Sequence, residues 1–79
     1  MKLKSFVYKH GYVFLLEFTN HRTCEIDLSP LLKAYIKPLD MLTAQIDPEW
    51  GCLMFKNGMV DIEPKTLYSF AFGKPHYAA

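Results

Sequence analysis

The fold of this chain is decided by the stretch Asp47-Pro48-Glu49-Trp50-Gly51-Cys52-Leu53-Met54-Phe55-Lys56-Asn57-Gly58-Met59-Val60-Asp61-Ile62-Glu63-Pro64-Lys65-Thr66-Leu67-Tyr68. It contains two turn signals, Asp47 to Gly51 and Asn57-Gly58, and a short extended run follows each of them. Pro64 then stands where the first residue of a helix is expected. We therefore predict a hairpin followed by a terminal helix. Asn57-Gly58 lies between two short strands, which is the context of a turn and not of a phosphate-binding loop.

The residues before this stretch predict a three-stranded meander. Leu3 to Tyr8 and Tyr12 to Phe18 are rich in aromatic and β-branched residues, and a short polar break with a glycine separates them. Apolar side chains occupy both faces of the second run, so we expect a central strand covered on both sides. The next turn has Asn20 as the residue expected in the left-handed region, and Thr23 to Leu28 alternates as a third strand.

Short helices are predicted between the meander and the hairpin. Ser29 supplies a hydroxyl for an N-cap, and Pro30 suits the first helical position, so a helix is expected to start here. Pro38 interrupts the following residues, which keeps this helix brief. A second helical turn is predicted at 39–42, before Ala44 to Ile46 becomes extended.

These elements predict an α+β fold. We expect a small, twisted, mainly antiparallel sheet, made of the three-stranded meander plus the second hairpin, with two or three short helices packed on one face. At 79 residues the chain is expected to form a single domain, 1–79. Its ordered core should span about residues 2–73, and the tail 74–79 is expected to be loose.

Composition limits the classes of function. The formal charge is only +1, so we expect no general attraction to nucleic acid or to anionic membranes, and no apolar run reaches the roughly 20 residues of a membrane span. Two cysteines and the absence of a signal-peptide pattern predict a cytoplasmic protein. Hydrophobic residues make up 51% of the chain, which is rich for this length and favours a homo-oligomer or a bound partner protein.

Charge is distributed unevenly along the chain. Residues 1–22 carry four basic side chains against one acid, whereas residues 23–64 carry seven acids against three lysines. Ordinary solvated charge explains this pattern, and the alternatives are head-to-tail electrostatic pairing or a local acidic contact surface.

Several segments in a fixed order carry a family resemblance. They are Phe14 to Phe18, Ile26 to Leu32, Glu49-Trp50-Gly51, Asn57-Gly58, Asp61 to Pro64 and Leu67-Tyr68. Together they resemble the bacterial domain of unknown function 2442 family over roughly residues 3 to 70. The chain departs from the usual pattern at Phe55, where members often have tryptophan, and at Asn20-His21, where they often have Asn-Gly.

The resemblance implies a small α+β domain without an established enzymatic activity. Such domains occur alone or joined to a helix-turn-helix DNA-binding domain, often beside another small gene in a toxin–antitoxin-like arrangement. The 79 residues do not include such added helices, so we expect any role at DNA to come through a partner.

The reactive residue types give no catalytic, cofactor or metal assignment. His21 and Cys24 are the closest local pair of metal-ligand types, but nothing at motif spacing completes a site. Cys52 lies next to apolar residues without a base at a recognisable spacing, so we expect it to pack in the core. Asp61 and Glu63 share one side of an extended segment, and we interpret them mainly as caps of the helix that starts at Pro64. No cofactor is expected.

Aromatic residues near element ends are the candidate partner interface. They are Trp50, Tyr68, Phe70, Phe72 and Tyr35. From them we predict a non-enzymatic protein-interaction module that acts through self-association or a partner protein, with a regulatory or toxin–antitoxin-like role. One alternative is a nucleic-acid accessory domain that uses the basic first hairpin, with Tyr8, Tyr12 and Phe14 as a stacking platform. Another is a small metabolite-binding domain or enzyme that uses Asp61, Glu63, His21 or Cys52.

Overall fold

A computed structural model describes residues 1–73 of the chain. These residues form two three-stranded antiparallel sheets and a few short helices, so the predicted α+β class is confirmed. The predicted loose tail, 74–79, lies outside the described residues. In chain order the elements are β1 (Leu3–His10), β2 (Val13–Phe18), β3 (Thr23–Asp27), α1 (Ser29–Leu32), a 3-10 helix (Pro38–Thr43), β4 (Gln45–Ile46), β5 (Leu53–Phe55), β6 (Val60–Ile62) and α2 (Pro64–Phe72).

The first sheet is the predicted meander, with β2 between β1 and β3. Phe14, Leu16 and Phe18 share one face of β2 and are completely buried. Val13, Leu15 and Glu17 on its other face are half-buried, because both neighbouring strands shade them. The alternation of apolar residues thus predicts both the strand and the direction of its side chains correctly.

The second sheet comes from the stretch that decides the fold. Its order is β4-β5-β6, and β5 pairs with β6 through Leu53 opposite Ile62 and Phe55 opposite Val60. Leu53, Phe55 and Ile62 are buried. The turn at Asn57-Gly58 reverses the chain with three consecutive residues at positive φ, Lys56, Asn57 and Gly58.

One core joins the two sheets and the helices. The rings of Phe14 in the first sheet and Phe55 in the second lie 6.0 Å apart in an edge-to-face arrangement. The Leu3 amide also donates to the carbonyl of Gly51 at 3.2 Å, which ties β1 to the turn before β5. Every buried side chain in the described core is apolar. They are Leu3, Phe14, Leu16, Phe18, Leu28, Leu32, Ile36, Met41, Leu53, Phe55, Ile62 and Leu67.

The turn between β2 and β3 differs from its prediction in one residue. His21, and not Asn20, takes the left-handed conformation, with φ of +71°. The side-chain carbonyl of Asn20 instead accepts a hydrogen bond from the amide of Arg22 at 3.1 Å, so Asn20 stabilises the turn through its side chain. The prediction for Asn20 was therefore wrong in backbone conformation but right in assigning this segment to a turn.

Both proline-started helices begin where predicted, but neither uses a side-chain cap from the expected residue. In α1 the N-cap is Leu28, and Ser29 is already helical, so its hydroxyl does not cap; the Asp27 carboxylate accepts the Ser29 amide at 2.9 Å. In α2 Glu63 is the N-cap by backbone conformation, but its carboxylate accepts no cap hydrogen bond. Glutamate is longer than the Ser, Thr, Asp and Asn side chains that reach the first free amides of a helix.

Candidate functional site

Three concave regions of the surface meet at Leu31. The first has a volume of about 600 Å³ and also contains Trp50, the second has about 680 Å³ and contains Phe70, and the third has about 310 Å³ and contains Tyr35 and Met59. Leu31 lines all three, so these aromatic and sulfur side chains line neighbouring regions of the surface that share this residue. We call the group formed by Leu31, Tyr35, Trp50, Met59 and Phe70 the Leu31 surface.

The sequence of the α1 region explains why Leu31 and Tyr35 face outward. Leu28, Leu32 and Ile36 follow one another at a spacing of four, and all three are buried. The helical turn continues beyond α1, because the amides of Tyr35 and Ile36 both donate to the carbonyl of Leu32, at 2.8 and 3.0 Å. Leu31 and Tyr35 are also four residues apart, and each stands one position before a buried residue of that series. They therefore lie next to each other on the outer side of the helical turn. Tyr35 is 74% exposed.

Trp50 is held in an exposed position by the turn between β4 and β5. The Asp47 carboxylate accepts the amides of Glu49 at 2.8 Å and Trp50 at 3.2 Å, and the Asp47 carbonyl accepts the amide of Gly51 at 2.8 Å. Gly51 closes the turn at φ of +73°, a conformation that favours glycine. The indole is nevertheless 65% exposed. The turn therefore fixes the backbone of Trp50 while leaving its ring free for contact.

Acidic side chains line the first concave region beside Trp50. Asp47, Asp61 and Glu63 share this region with Cys52. Partial burial, followed by the negative charges of Asp61, Asp47 and Glu63, raises the pKa of the Cys52 thiol above its ordinary value. A raised pKa lowers the fraction of thiolate, which is the nucleophilic form. The fold thus brings together three of the four residues considered for a small enzyme, but in an arrangement that disfavours a reactive cysteine.

The fourth of those residues, His21, lies elsewhere. It is in the β2–β3 turn, with Nδ1 3.9 Å from a carboxylate oxygen of Glu17. Cys24, the other suggested metal ligand, is in β3 and its thiol lies 3.7 Å from the carbonyl of Ala71. Across residues 1–73 no three His, Cys, Asp or Glu side chains are grouped so that they could hold a metal ion.

The five predicted interface aromatics fall into two groups. Trp50, Tyr35 and Phe70 belong to the Leu31 surface, whereas Tyr68 and Phe72 pack against the buried ring of Phe18, at centroid distances of 5.0 and 5.8 Å. Tyr68 and Phe72 therefore contribute to the core, and the Leu31 surface contains three of the five predicted interface aromatics.

Polar contacts from the β2–β3 turn cover the Tyr68 and Phe72 pair. Asn20 and Arg22 each donate a hydrogen bond to the Tyr68 hydroxyl oxygen, at 3.2 and 3.0 Å. These two hydrogen bonds lower the pKa of the Tyr68 phenol below its ordinary value, and the one from Asn20 has the larger effect. The contacts hold the end of α2 against the first sheet, which is a structural role.

Two members of the Leu31 surface were not predicted from the sequence, Leu31 and Met59. Leu31 looked like an ordinary core residue of a short apolar helix, and only its spacing of four from Tyr35 indicates an outward position. Met59 follows directly after the Asn57-Gly58 turn and is 79% exposed. A large apolar residue at such a turn, where polar residues are usual, is the signal that could have identified it.

The three rings considered as a stacking platform on the basic first hairpin do not all lie on its surface. Phe14 is completely buried, and the hydroxyl of Tyr12 donates to the carbonyl of Ile36 at 2.7 Å. Lys4 and Lys9 lie 3.7 and 4.0 Å from the carboxylates of Glu17 and Glu25. Phe14 therefore cannot belong to the platform that the nucleic-acid alternative requires, because the alternating pattern of β2 places this ring in the core.

No helix described in residues 1–73 has both the length and the apolar character required to cross a membrane.

Comparison with known proteins identifies a family without a known activity. The model of the family described as protein of unknown function (DUF2442) matches residues 3–73, which is nearly the whole chain. The chain belongs to this family, as its resemblance predicts. Neither the curated proteins nor the solved structures contain a match.

Proposed function

We propose that this member of the DUF2442 family is a cytoplasmic protein-interaction module that acts without catalysis, by binding a polypeptide on the Leu31 surface. The observation that carries the proposal is that two exposed aromatic rings, Trp50 and Tyr35, line concave regions that share Leu31. Tryptophan and tyrosine are the residues that most often supply the binding energy at the centre of protein interfaces. A regulatory or toxin–antitoxin-like role would use the module to hold its partner.

The energetics of the exposed side chains support this proposal. Tyr35, Trp50 and Met59 are all more than 60% exposed, although each would gain about 1.5–3 kcal/mol or more from full burial. Scattered single apolar residues need no explanation, but these three line concave regions that share Leu31. A bound polypeptide removes these side chains from water.

The chemistry of the first concave region favours binding over catalysis. Burial and neighbouring acids raise the pKa of its thiol, Cys52, and so lower the fraction of nucleophilic thiolate. The Asp47 carboxylate already accepts two amides of its own turn. These groups supply an acidic border for a bound segment more readily than a nucleophile with its base.

Site-specific photocrosslinking tests the proposal. The photoreactive residue p-benzoylphenylalanine replaces Trp50 or Tyr35 in the full chain, in cells that naturally make the protein, and replaces the exposed Thr23 of β3 as the control. We expect crosslinks to a polypeptide, either this chain or another, from positions 50 and 35 and not from position 23. Equal yields at all three positions, or no crosslink at 50 and 35, would overturn the proposal.

A further inference from the structure

Two exposed carboxylates line the concave regions described above. Asp61 in β6 and Glu63 directly after it are exposed, whereas Ile62 between them is buried. In an extended segment, side chains two residues apart point to the same side. The two carboxylates therefore stand together, and both line the first region beside Trp50. Asp61 also lines the third region, together with Tyr35.

The negative charge of these regions has no positive counterpart within them. Among residues 1–73, the side chains that line the first and third regions include no lysine, arginine or histidine. Lys65 lines the second region, which neither Asp61 nor Glu63 lines. The ion pairs in the same part of the chain involve Glu17 and Glu25, and not Asp61 or Glu63. The described residues therefore leave the charge of the first and third regions open to a cation from outside.

The carboxylates of the first region suit a large cation better than a metal ion. After partial burial, Asp61, Asp47 and Glu63 each raise the pKa of the Cys52 thiol, so the three charges act on one place. The Asp47 carboxylate already accepts two amides of its own turn, which leaves Asp61 and Glu63 as the main acceptors. No group in residues 1–73 is arranged to hold a metal ion. A cation whose donors are spread over several atoms matches separated carboxylates.

The arginine side chain is such a cation. Its planar guanidinium carries several N–H donors, pairs with carboxylates through parallel hydrogen bonds and stacks on aromatic faces. The first region offers both kinds of partner, because Asp61 and Glu63 accept hydrogen bonds and the Trp50 indole, 65% exposed, provides an aromatic face. Lysine is a compact, strongly hydrated charge and matches this combination less well.

This chain is poorly placed to supply the arginine from a second copy of itself. Its only arginine is Arg22, whose guanidinium carbon lies 4.0 Å from the centre of the Phe72 ring and which donates to the Tyr68 hydroxyl oxygen. A second copy would have to give up both contacts in order to bind. We therefore expect the arginine to come from a different protein.

We propose that the Leu31 surface binds a segment of another protein in which an arginine stands next to an apolar residue, with the guanidinium between Trp50 and the carboxylates of Asp61 and Glu63. This inference rests on the proposed function, and it specifies the partner. The apolar residue contacts Leu31 and Tyr35 in the third region, which shares Asp61 with the first. Burial of apolar surface supplies most of the affinity, and the charge pairs determine which segment binds.

Peptide selection on the purified full-length chain tests this chemistry. Random heptapeptides displayed on phage are selected against the wild type, and we expect the recovered sequences to be enriched in arginine with an apolar neighbour, relative to the unselected library. The double variant Asp61→Asn with Glu63→Gln should bind the recovered phage at least about tenfold more weakly, because it removes the charge of the acceptors and keeps their size.

A second double variant is the control. Glu25→Gln with Asp27→Asn in β3 removes the same amount of charge but lines none of the three concave regions, so it should bind the phage as the wild type does. All four substituted side chains are exposed, so folding should persist in both variants, and circular dichroism checks it.

Trp50 reports occupancy of the first region, because it is the only tryptophan in the chain. A synthetic peptide with the most frequent recovered sequence is titrated into the protein while tryptophan emission is followed. We expect the peptide to change the emission and to protect the indole from quenching by acrylamide. Citrulline in place of the arginine keeps the shape without the charge, so it should raise the dissociation constant at least about tenfold.

Three outcomes overturn the inference. They are recovered peptides without an excess of arginine, binding that neither the acidic double variant nor citrulline weakens, and a photocrosslink at position 50 whose segment, identified by mass spectrometry, comes from this chain itself. If positions 50 and 35 crosslink to a polypeptide in any of these cases, the proposed function stands and only the arginine-bearing partner is ruled out. If those positions crosslink to nothing, the proposed function fails, and this inference fails with it.

Discussion

The guanidinium carbon of Arg22 lies 4.0 Å from the centre of the Phe72 ring, and Nη1 of the same side chain donates to the Tyr68 hydroxyl oxygen at 3.0 Å. One side chain of the β2–β3 turn thus contacts two residues of α2. A cation over an aromatic face and a hydrogen bond each contribute about 0.5–1.5 kcal/mol in exposed positions. Arg22 therefore connects the last helix to the first sheet.

Arg22→Ala is expected to lower the free energy of unfolding by about 1–2 kcal/mol, because both contacts are lost. Urea unfolding followed by circular dichroism measures the change. Arg22→Lys keeps the charge but not the planar guanidinium, so it should fall between the wild type and the alanine variant. An alanine variant as stable as the wild type would show that the two contacts contribute nothing net.

Gly51→Ala should destabilise the protein more than Gly11→Ala. Both glycines have positive φ, +73° and +55°, so alanine is strained at either position by about 1–2 kcal/mol. At Gly51 the added Cβ would also collide with Cβ and Cγ of Lys2, whereas at Gly11 there is no neighbouring heavy atom within 4 Å. Thermal unfolding of the two variants side by side separates the collision from the backbone strain. Equal losses would mean that the Lys2 side chain moves aside at no cost.

Asp61→Asn should speed the alkylation of Cys52. The negative charge of Asp61 is one cause of the raised pKa of this thiol, after burial, so its removal lowers the pKa and increases the thiolate fraction at pH 8. The rate with iodoacetamide should rise by at least about twofold, since the thiolate fraction changes tenfold for each unit of pKa below the midpoint. Cys24→Ser in every variant leaves one thiol to follow, and Glu25→Gln is the distant control. An unchanged rate would contradict the electrostatic origin of the shift.

The same thiol makes a pH-dependent contribution to stability. A raised pKa in the folded state means that folding retains the proton of Cys52, so this contribution is complete below the ordinary thiol pKa of 9.0. It is lost as pH rises from there through the folded-state pKa. Cys52→Ser should therefore reduce the fall in stability between about pH 8 and pH 10.5, as denaturant midpoints at several pH values will show. An unchanged fall in the variant would assign the pH dependence to other groups.

Trp50→Ala should leave the free energy of unfolding within about 0.5 kcal/mol of the wild type, because the ring is 65% exposed. Phe55→Ala is the contrasting variant, since that ring is completely buried and its removal should cost about 3–5 kcal/mol. Circular dichroism is the suitable signal, as Trp50 is the only tryptophan in the chain. A large loss in Trp50→Ala would indicate a structural role for the ring and weaken its assignment to an interface.

Local patterns explain how much of this structure the sequence predicts. The alternation in 13–18 and 23–27 follows from the period of two in a strand, so the residues of β2 that share a face could be predicted, whereas the difference in burial between its two faces could not. Prolines 30 and 64 likewise mark the starts of the two α-helices correctly. These signals need only neighbouring residues. The division of the strands into two sheets depends on which strands meet in space, and no local signal indicates it.

The errors in prediction concern choices between neighbouring groups. Asn20 and His21 could each take the left-handed position, and the Asn20 side chain is used for the Arg22 amide instead. Glu63 has the right charge for a cap but makes no cap hydrogen bond. The members of the Leu31 surface do not recur at a regular spacing in the sequence, because they come from helices and turns in both halves of the chain. Its aromatic composition was predictable, and its location was not.

The order of strands within each sheet has a consequence for how the chain folds. Every strand pairs with the strand next to it in sequence, β1-β2-β3 and then β4-β5-β6. Such pairings close only short loops, so each meander can form early and fast. The contact between Leu3 and Gly51 joins residues far apart in sequence and requires both halves to be nearly complete. We therefore expect docking of the two sheets to limit the folding rate, and mutations that weaken this contact to slow folding.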